Sequence, residues 1–440
     1  MTKRVLIITY YWPPSGGASV QRWLKFVKNL PNNGWVPVVY TVKNPSNVII
    51  DESLLDEVSQ KVEVIKTEAW EPYLLYQKFL GKKDKKVLTA GLLDAESAKV
   101  SFKEKTARWV RGNLFIPDAR KYWIKPSVKY LENYLKDNPV DAIVSSGPPH
   151  SLHLIAMNLK KRFNLPWIAD FRDPWTSMDY YQVMYISRWA NAKHHRLEKQ
   201  VITTPDKVLV IGNSMKREFE TKYDREVNVL PNGFDKEKYD NYSEVERDTK
   251  FSLVHIGSLL RNRNPYILWE VLSEFKKENH PILKDLIIKL VGNVDHSSTK
   301  KIEEYQLQDL IERISYVPHS EALKMQMKAQ VLLLLIDDIP NAEFVLSSKF
   351  FEYLGSKRPI LCIGPTYGDA AKVLDKVNAG KTVGFKEKME LKNVIIELYD
   401  KYKSGNLNVL NSSVESYSVQ ELTVTLSEHL NEIVKQKRND

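Results

Sequence analysis

The amino-acid sequence predicts an α/β protein built from two doubly wound parallel sheets joined by a polar hinge. Three observations carry that expectation. Short aliphatic runs alternate with longer amphipathic stretches, as parallel strands alternate with the helices that cover them. The alternation is interrupted once, by the almost wholly polar and charged residues 235–250. At 440 residues the chain is also longer than one ordinary core accommodates. The expected division is an N-terminal domain over 1–233, a linker over 234–250, a C-terminal domain over 251–415, and a last helix within 416–440 able to pack back on the N-terminal domain.

Taken in order, the first strand covers residues 4–9 and ends in a loop containing Pro13, Pro14, Gly16 and Gly17. A helix starts near Ser19, with Trp23, Phe26, Val27 and Leu30 at helical spacing. Further strands are expected at 37–41, 62–65, 142–145, 167–170, 207–211 and 227–230. Residues 150–163 read as a helix whose buried stripe is Leu154, Ile155 and Leu159. Past the polar segment, strands are expected at 251–256, 286–291, 314–317, 331–336 and 359–363, and helices at 266–277, 320–329, 349–355 and 419–435. Ligands of such sheets bind outside the carboxyl ends of the strands, so a cleft between two facing domains is the expected site.

Composition narrows the function classes. A content of 43 % hydrophobic and 27 % charged residues is that of a globular protein. The one cysteine, Cys362, cannot form an internal disulfide and lies in an apolar run, which reads as a buried hydrophobe in a cytoplasmic protein. The apolar stretch 5–12 runs into two prolines without a cleavage signal, and the run 331–336 is far below the ~20 residues of a spanning helix, so neither export nor a membrane crossing is expected. The net charge of +10 asks for an anionic partner. Over 99–129 nine basic residues, Lys99, Lys103, Lys105, Arg108, Arg111, Arg120, Lys121, Lys125 and Lys129, face only Glu104 and Asp118, and Trp109, Phe115, Ile116, Tyr122 and Trp123 are interleaved. That mix suits an anionic membrane surface, on the inner face of a membrane, or equally a solvated helical surface with its aromatics turned inward. No nucleic-acid-binding signature occurs, and nucleic acid is not an expected partner.

Several loops carry candidate chemistry. Gly16 and Gly17 precede a helix N-terminus, where amides and the helix dipole favour an anion, or simply make a turn. Ser146–Ser151 follows a strand and presents His150 behind two prolines, as a site residue or as a satisfied helix cap. Asp170, Arg172 and Asp173 put three charges at the next strand's end, where they must pair, bind substrate, or both. The second half offers Gly257, Ser258, Arg261 and Arg263 after its first strand, then Ser348, Lys349 and Glu352 at a helix start that Ser347 or Ser348 can cap. A capping box between Ser348 and Glu352 is the structural alternative there.

Together, in order and spacing, these segments resemble glycosyltransferase family 4 over nearly the whole chain. The carriers are residues 10–22, 147–151, 169–175, 230–235, 255–265 and 349–361. The resemblance implies the GT-B fold, with two Rossmann-like domains facing each other across a cleft, and a nucleotide-sugar donor held mainly by the C-terminal domain. It implies transfer with retention to a glycan or lipid-linked acceptor, in surface polysaccharide or glycolipid assembly. Residue by residue it implies that Glu352 binds the donor ribose and that Arg263 and Arg261 hold the diphosphate. Gly16 and Gly17 then approach the phosphates, and His150 and Arg172, with Asp173, line the reacting centre. The chain departs from the family in having Phe344 where many members carry another glutamate, eight residues before the one that Glu352 matches, with Glu343 one residue away. It has Gly257-Ser258 for Gly-Arg, and Arg172 for a histidine.

The implied chemistry is electrostatic. Breaking the anomeric bond leaves negative charge on the departing diphosphate. The sequence contains no Asp-x-Asp, the common metal-holding motif of the other major glycosyltransferase fold, and Asp337-Asp338 reads as structural. No metal or other cofactor is therefore expected, and Arg261, Arg263, Lys349 and helix N-termini would neutralise the leaving group. Two other functions fit the same residues: a nucleotide-sugar epimerase of GT-B fold, and a catalytically silent sugar- or nucleotide-binding protein.

Overall fold

The computed structural model describes residues 2–46, 50–71, 102–178, 181, 183–242, 244–409 and 412–439. The chain forms two compact units, Met1–Pro231 with Leu422–Asp440, and Asn232–Glu421. In chain order the first unit contains β1 (Lys3–Ile8), α1 (Ala18–Asn29), β2 (Trp35–Val42), β3 (Glu63–Thr67), α2 (Phe102–Leu114), α3 (Lys121–Asp137) and β4 (Ala142–Gly147). It continues through α4 (Ser151–Phe163), β5 (Trp167–Phe171), α5 (Arg188–Thr203), β6 (Lys207–Val210), α6 (Asn213–Tyr223) and β7 (Asn228–Val229). Among the described residues its strands form one parallel sheet in the order β3-β2-β1-β4-β5-β6-β7.

The second unit contains α7 (Lys236–Asp240), β8 (Phe251–Ile256), α8 (Tyr266–Lys277), β9 (Leu286–Val291), α9 (His296–Glu304), β10 (Ile311–Ile314), α10 (His319–Lys328) and β11 (Val331–Leu335). After it come α11 (Ser348–Gly355), β12 (Ile360–Ile363), α12 (Asp369–Val377), β13 (Gly380–Val383) and α13 (Lys388–Lys403); α14 (Val419–Asn439) follows and from Leu422 onward belongs to the first unit. The described strands of its sheet run β10-β9-β8-β11-β12-β13. In each sheet the strand order reverses beside its first strand, at β1/β4 and at β8/β11, which is where ligands of doubly wound sheets bind.

The strands are apolar because helices cover both faces. Val5 to Ile8 of β1 and every residue of β8 are buried. On α1, Val20, Trp23, Leu24, Phe26 and Val27 are buried, the stripe expected from their spacing. Cys362 is buried in β12, and burial pushes its thiol up to about 12, so it serves as a small hydrophobe.

Three local expectations are corrected. The strand expected at 314–317 lies at Ile311–Ile314, and Tyr316 is 87 % exposed in the loop beyond it. The polar run 234–250 is not a free linker: Phe234, Asp235 and Tyr239 are buried in the second unit, and residues 236–240 are helical. β13 was not foreseen, because its four residues carry a single large aliphatic side chain. The C-terminal helix buries Leu426, Leu430, Ile433 and Val434, and its Glu432 and Asn431 pair with Lys207 and Lys3 of the first unit, both at 2.5 Å.

Candidate functional site

The first unit gathers three sequence motifs at the carboxyl ends of β1, β4 and β5. Asp170 is fully buried and receives Arg22 Nη2 at 2.6 Å, Arg22 Nε at 3.1 Å, Trp23 Nε1 at 2.9 Å and Ser146 Oγ at 2.8 Å. Arg22 also donates to the carbonyls of Leu230 and Pro231, both at 2.9 Å. The fork geometry of the guanidinium and the hydroxyl and indole donors leave this buried charge fully compensated. Of the three charges in the motif, Asp170 is thus a structural one.

Arg172 is buried as well. It donates to the Ser19 carbonyl at 3.1 Å and to the Pro148 carbonyl, and lies over the Tyr11 ring at 5.6 Å. It therefore ties the loop after β1 to the loop after β4. Burial pulls its pKa below the ordinary guanidinium value, and the half-buried Asp173 beside it acts against that pull. His150 stands at the N-cap position of α4 and is 3 % exposed, but its side chain makes no capping hydrogen bond, so it is not the satisfied helix cap of the structural alternative. Its ring stacks on Trp175 with centroids 4.6 Å apart and planes within 1°. Burial pushes the imidazole down to about 4, so at neutral pH it is uncharged and can exchange hydrogen bonds with a hydroxyl group but supplies no charge. Trp175 Nε1 in turn donates to His194 Nδ1 at 3.0 Å, so His194 carries its proton on Nε2, toward the Gly112 carbonyl at 3.1 Å. Gly17 precedes α1 with φ 90°, and no heavy atom lies within 4 Å of where its Cβ would be. The position asks glycine for conformation, not for space. Gly16 beside it is half-buried.

The second unit builds a tighter constellation. Gly257 follows β8 with φ 132°, and the Lys349 ammonium occupies the space a Cβ would fill there. Lys349 Nζ donates to the Ile256 carbonyl, and the Tyr353 hydroxyl accepts from Ile256 N at 2.9 Å. Arg263 bridges the turn: its Nη2 donates to Asp337 Oδ2 at 2.6 Å and its Nη1 to the Ser258 carbonyl at 3.3 Å. Asp337 lies just beyond β11, so Arg263 joins the two strands between which the sheet order reverses; the structural reading of Asp337 fits. Ser258 and Arg261 are exposed in the same turn. Burial lowers the Lys349 ammonium to about 8, with the Glu352 carboxylate opposing and Arg263 reinforcing that shift.

Glu352 stands one turn into α11, half-buried, with Oε1 at 3.3 Å from His319 Nε2. The capping-box alternative is corrected by the helix itself. Ser347, not Ser348, is the cap, its Oγ accepting from Phe350 N at 3.3 Å. Phe350 therefore holds the third helical position, and Glu352 lies two residues past the place a capping box requires. Ser348 is the first helical residue. Sequence reasoning missed His319; the only signal was Pro318 ahead of a helix start, which marks the helix and not the side chain.

The basic–aromatic stretch divides. Trp123 and Ile116 belong to the core and Arg108 is buried. Arg120 pairs with Glu71 at 3.3 Å. Phe102, Trp109 and Tyr122 are exposed, as are Lys103, Lys105, Arg111, Lys125 and Lys129, while Lys99 lies outside the described residues. Among the described residues no helix is long and apolar enough to cross a membrane.

Residues 87–238 match the family model described as Glycosyltransferase Family 4. The match covers about a third of the chain. Solved structures with similar folds include sucrose-phosphate synthase from Thermosynechococcus elongatus, at 12 % identity over 99 % of this chain and 100 % of that one, with a TM-score of 0.60. Anabaena HepE in complex with UDP-glucose is 12 % identical over 98 % and 99 %, with a TM-score of 0.58. An α,α-trehalose-phosphate synthase (UDP-forming) from Burkholderia vietnamiensis is 10 % identical over 99 % of both chains, with a TM-score of 0.58. No curated protein matches. At these identities the shared property is the fold, the GT-B fold of glycosyltransferases, and the family match lies within it.

Proposed function

We propose that this chain is a retaining, metal-independent glycosyltransferase. It moves a sugar, of hexose type, from a nucleotide-sugar donor to a hydroxyl of a glycan or lipid-linked acceptor, in surface polysaccharide or glycolipid assembly. The observation that carries the reading is the cluster at the end of β8, where Lys349, Arg263, Gly257 and Glu352 come together at the reversal point of the second sheet. A glycine with no Cβ leaves the backbone open to a phosphate, two cations offset a diphosphate, and a carboxylate one helical turn away accepts from ribose hydroxyls. Donor complexes among fold relatives, such as that of HepE with UDP-glucose, support the ligand class.

In this reading the acceptor hydroxyl attacks from the face the diphosphate leaves, and the diphosphate oxygen takes its proton. Arg261, Arg263 and Lys349 stabilise the charge that develops on the leaving group. His150, being neutral, hydrogen-bonds the transferred sugar; Arg172 holds the loops around it, with Asp173 beside, and Gly16 and Gly17 bring the α1 N-terminus to the phosphates. Ser258 and Ser348 complete the donor contacts. In the same reading the exposed aromatics and lysines of α2 and α3 contact an anionic membrane surface, and the enzyme works at the cytoplasmic face where lipid-linked acceptors are reached; the exposure of Phe102, Trp109, Lys103 and Lys105 supports this.

Turnover tests the reading. Nucleoside diphosphate release from a panel of nucleotide-sugars should require an acceptor, supplied as a membrane extract, and should survive excess chelator. Conversion of the donor without acceptor marks an epimerase. Loss of activity to chelator with recovery on added magnesium or manganese contradicts the charge-neutralisation account.

A further inference from the structure

His319 opens α10, and its Nε2 lies 3.3 Å from Glu352 Oε1 on α11. The same two helices are tied a second time from below. The buried Tyr239 hydroxyl donates to the Glu352 main-chain carbonyl at 2.8 Å and contacts Gln326 Oε1 of α10 at 3.2 Å. Tyr239 thus holds the backbone of Glu352 and His319 holds its side chain. The imidazole is 49 % exposed and the Glu352 side chain 17 %, so the pair sits where a ligand can reach it and not inside the core. A glutamate left to itself loses rotamer freedom when it binds a ligand; a partner that fixes it beforehand removes that loss.

We propose that His319 is a positioning residue for donor binding: its Nε2–H holds Glu352 Oε1 so that the carboxylate meets the donor's ribose hydroxyls in one orientation. This rests on reading Glu352 as the ribose ligand. His319 acts through Glu352 and makes no bond to the reacting atoms, so its contribution is the same in ground and transition states. It belongs to donor KM and not to kcat.

The test is a double-mutant cycle on the intact chain. UDP, GDP and ADP are titrated into the wild-type protein, and the tightest binder is then titrated into His319→Ala, His319→Gln, Glu352→Gln and His319→Ala with Glu352→Gln. Losing the partner that orients the carboxylate should weaken binding about threefold to tenfold in His319→Ala. Glutamine keeps an N–H donor at the same reach and should restore most of the affinity. In the Glu352→Gln background, His319→Ala should add nothing, because the two residues act as a unit. Donor KM should rise in His319→Ala with kcat unchanged, and melting curves confirm that each variant is folded. Unaltered affinity in His319→Ala, or losses that add in the double variant, overturns the proposal. Wild-type protein that binds none of the three diphosphates overturns the donor reading itself and this inference with it, an outcome told apart because the unmutated chain fails.

Discussion

Lys349 shows how much one position can carry. Its ammonium sits on the Ile256 carbonyl in the space left by Gly257, and burial brings it down to about 8. A bound diphosphate favours the charged form and so raises that value. Donor affinity should therefore be level below about pH 8 and fall as pH rises beyond it, because the anion must then bring a proton with it. The free protein should behave in the opposite sense. Above about pH 8 the folded chain binds fewer protons at Lys349 than the unfolded chain, so stability rises with pH up to the ordinary lysine value. Titrating nucleoside diphosphate between about pH 7 and about pH 9, a unit on either side of the shifted value, checks the first statement. In Lys349→Met the affinity should be low throughout and the break gone; a break that survives in this variant belongs to another group. Residue identities of this kind were readable where a motif surrounds them, as with Lys349 and Glu352. Partners far apart in sequence were not. Arg22 and Asp170 are 148 residues apart, and nothing in either segment announces that they pair. A lone histidine such as His319 at a helix start is equally silent.

At the scale of elements, apolar periodicity was the reliable signal. The helix Tyr266–Lys277 was legible to the residue because Ile267, Leu268, Val271, Leu272 and Phe275 form one buried stripe. β10 was displaced in the reading because Glu312 and Arg313 interrupt it, while the β-prone Tyr316 and Val317 just after it form a loop. The segment 235–250 looked like a linker because charges outnumber its apolar residues. Two aromatic rings decide otherwise: a Cβ added at Gly355 would come within 2.7 Å of Tyr239 and 2.8 Å of Phe234, so both rings pack directly against the end of α11. The two glycine turns make a matched prediction. Gly17 has φ 90°, ψ 175° and open space, so Gly17→Ala should cost only backbone strain, about 1–3 kcal/mol. Gly257 has φ 132° and the Lys349 ammonium in the way, so Gly257→Ala should add a displaced cation to the strain and weaken donor binding about tenfold or more. Melting curves and diphosphate titrations of both variants check this; equal effects would mean that the Lys349 seat is not part of the donor site.

For the whole molecule, the two-sheet organisation was readable from the repeated alternation of strands and helices, and both sheets have the strand order of dinucleotide-binding folds. Net charge has a consequence at this scale too. With +10 overall and Phe102, Trp109, Lys103, Lys105 and Lys125 exposed, binding to anionic vesicles should exceed binding to neutral ones and fall steeply with salt, at ~1 kcal/mol per basic residue near the surface. Sedimentation with the two vesicle types decides it; equal partitioning, or none, makes α2 and α3 ordinary solvated surface. The central claim is that the second unit's cluster at the end of β8 is the donor site, and one measurement reaches it most directly. UDP, GDP and ADP are titrated into the wild-type chain and into Glu352→Gln, with melting curves of both ligand-free proteins alongside. Glutamine keeps the shape of the side chain but not its charge, and charge-assisted bonds are worth ~1.5–3 kcal/mol each. The account predicts that one diphosphate binds the wild type, binds the variant tenfold or more weakly, and that the two melting temperatures nearly coincide. Equal affinity, with or without a lowered melting temperature, would contradict it.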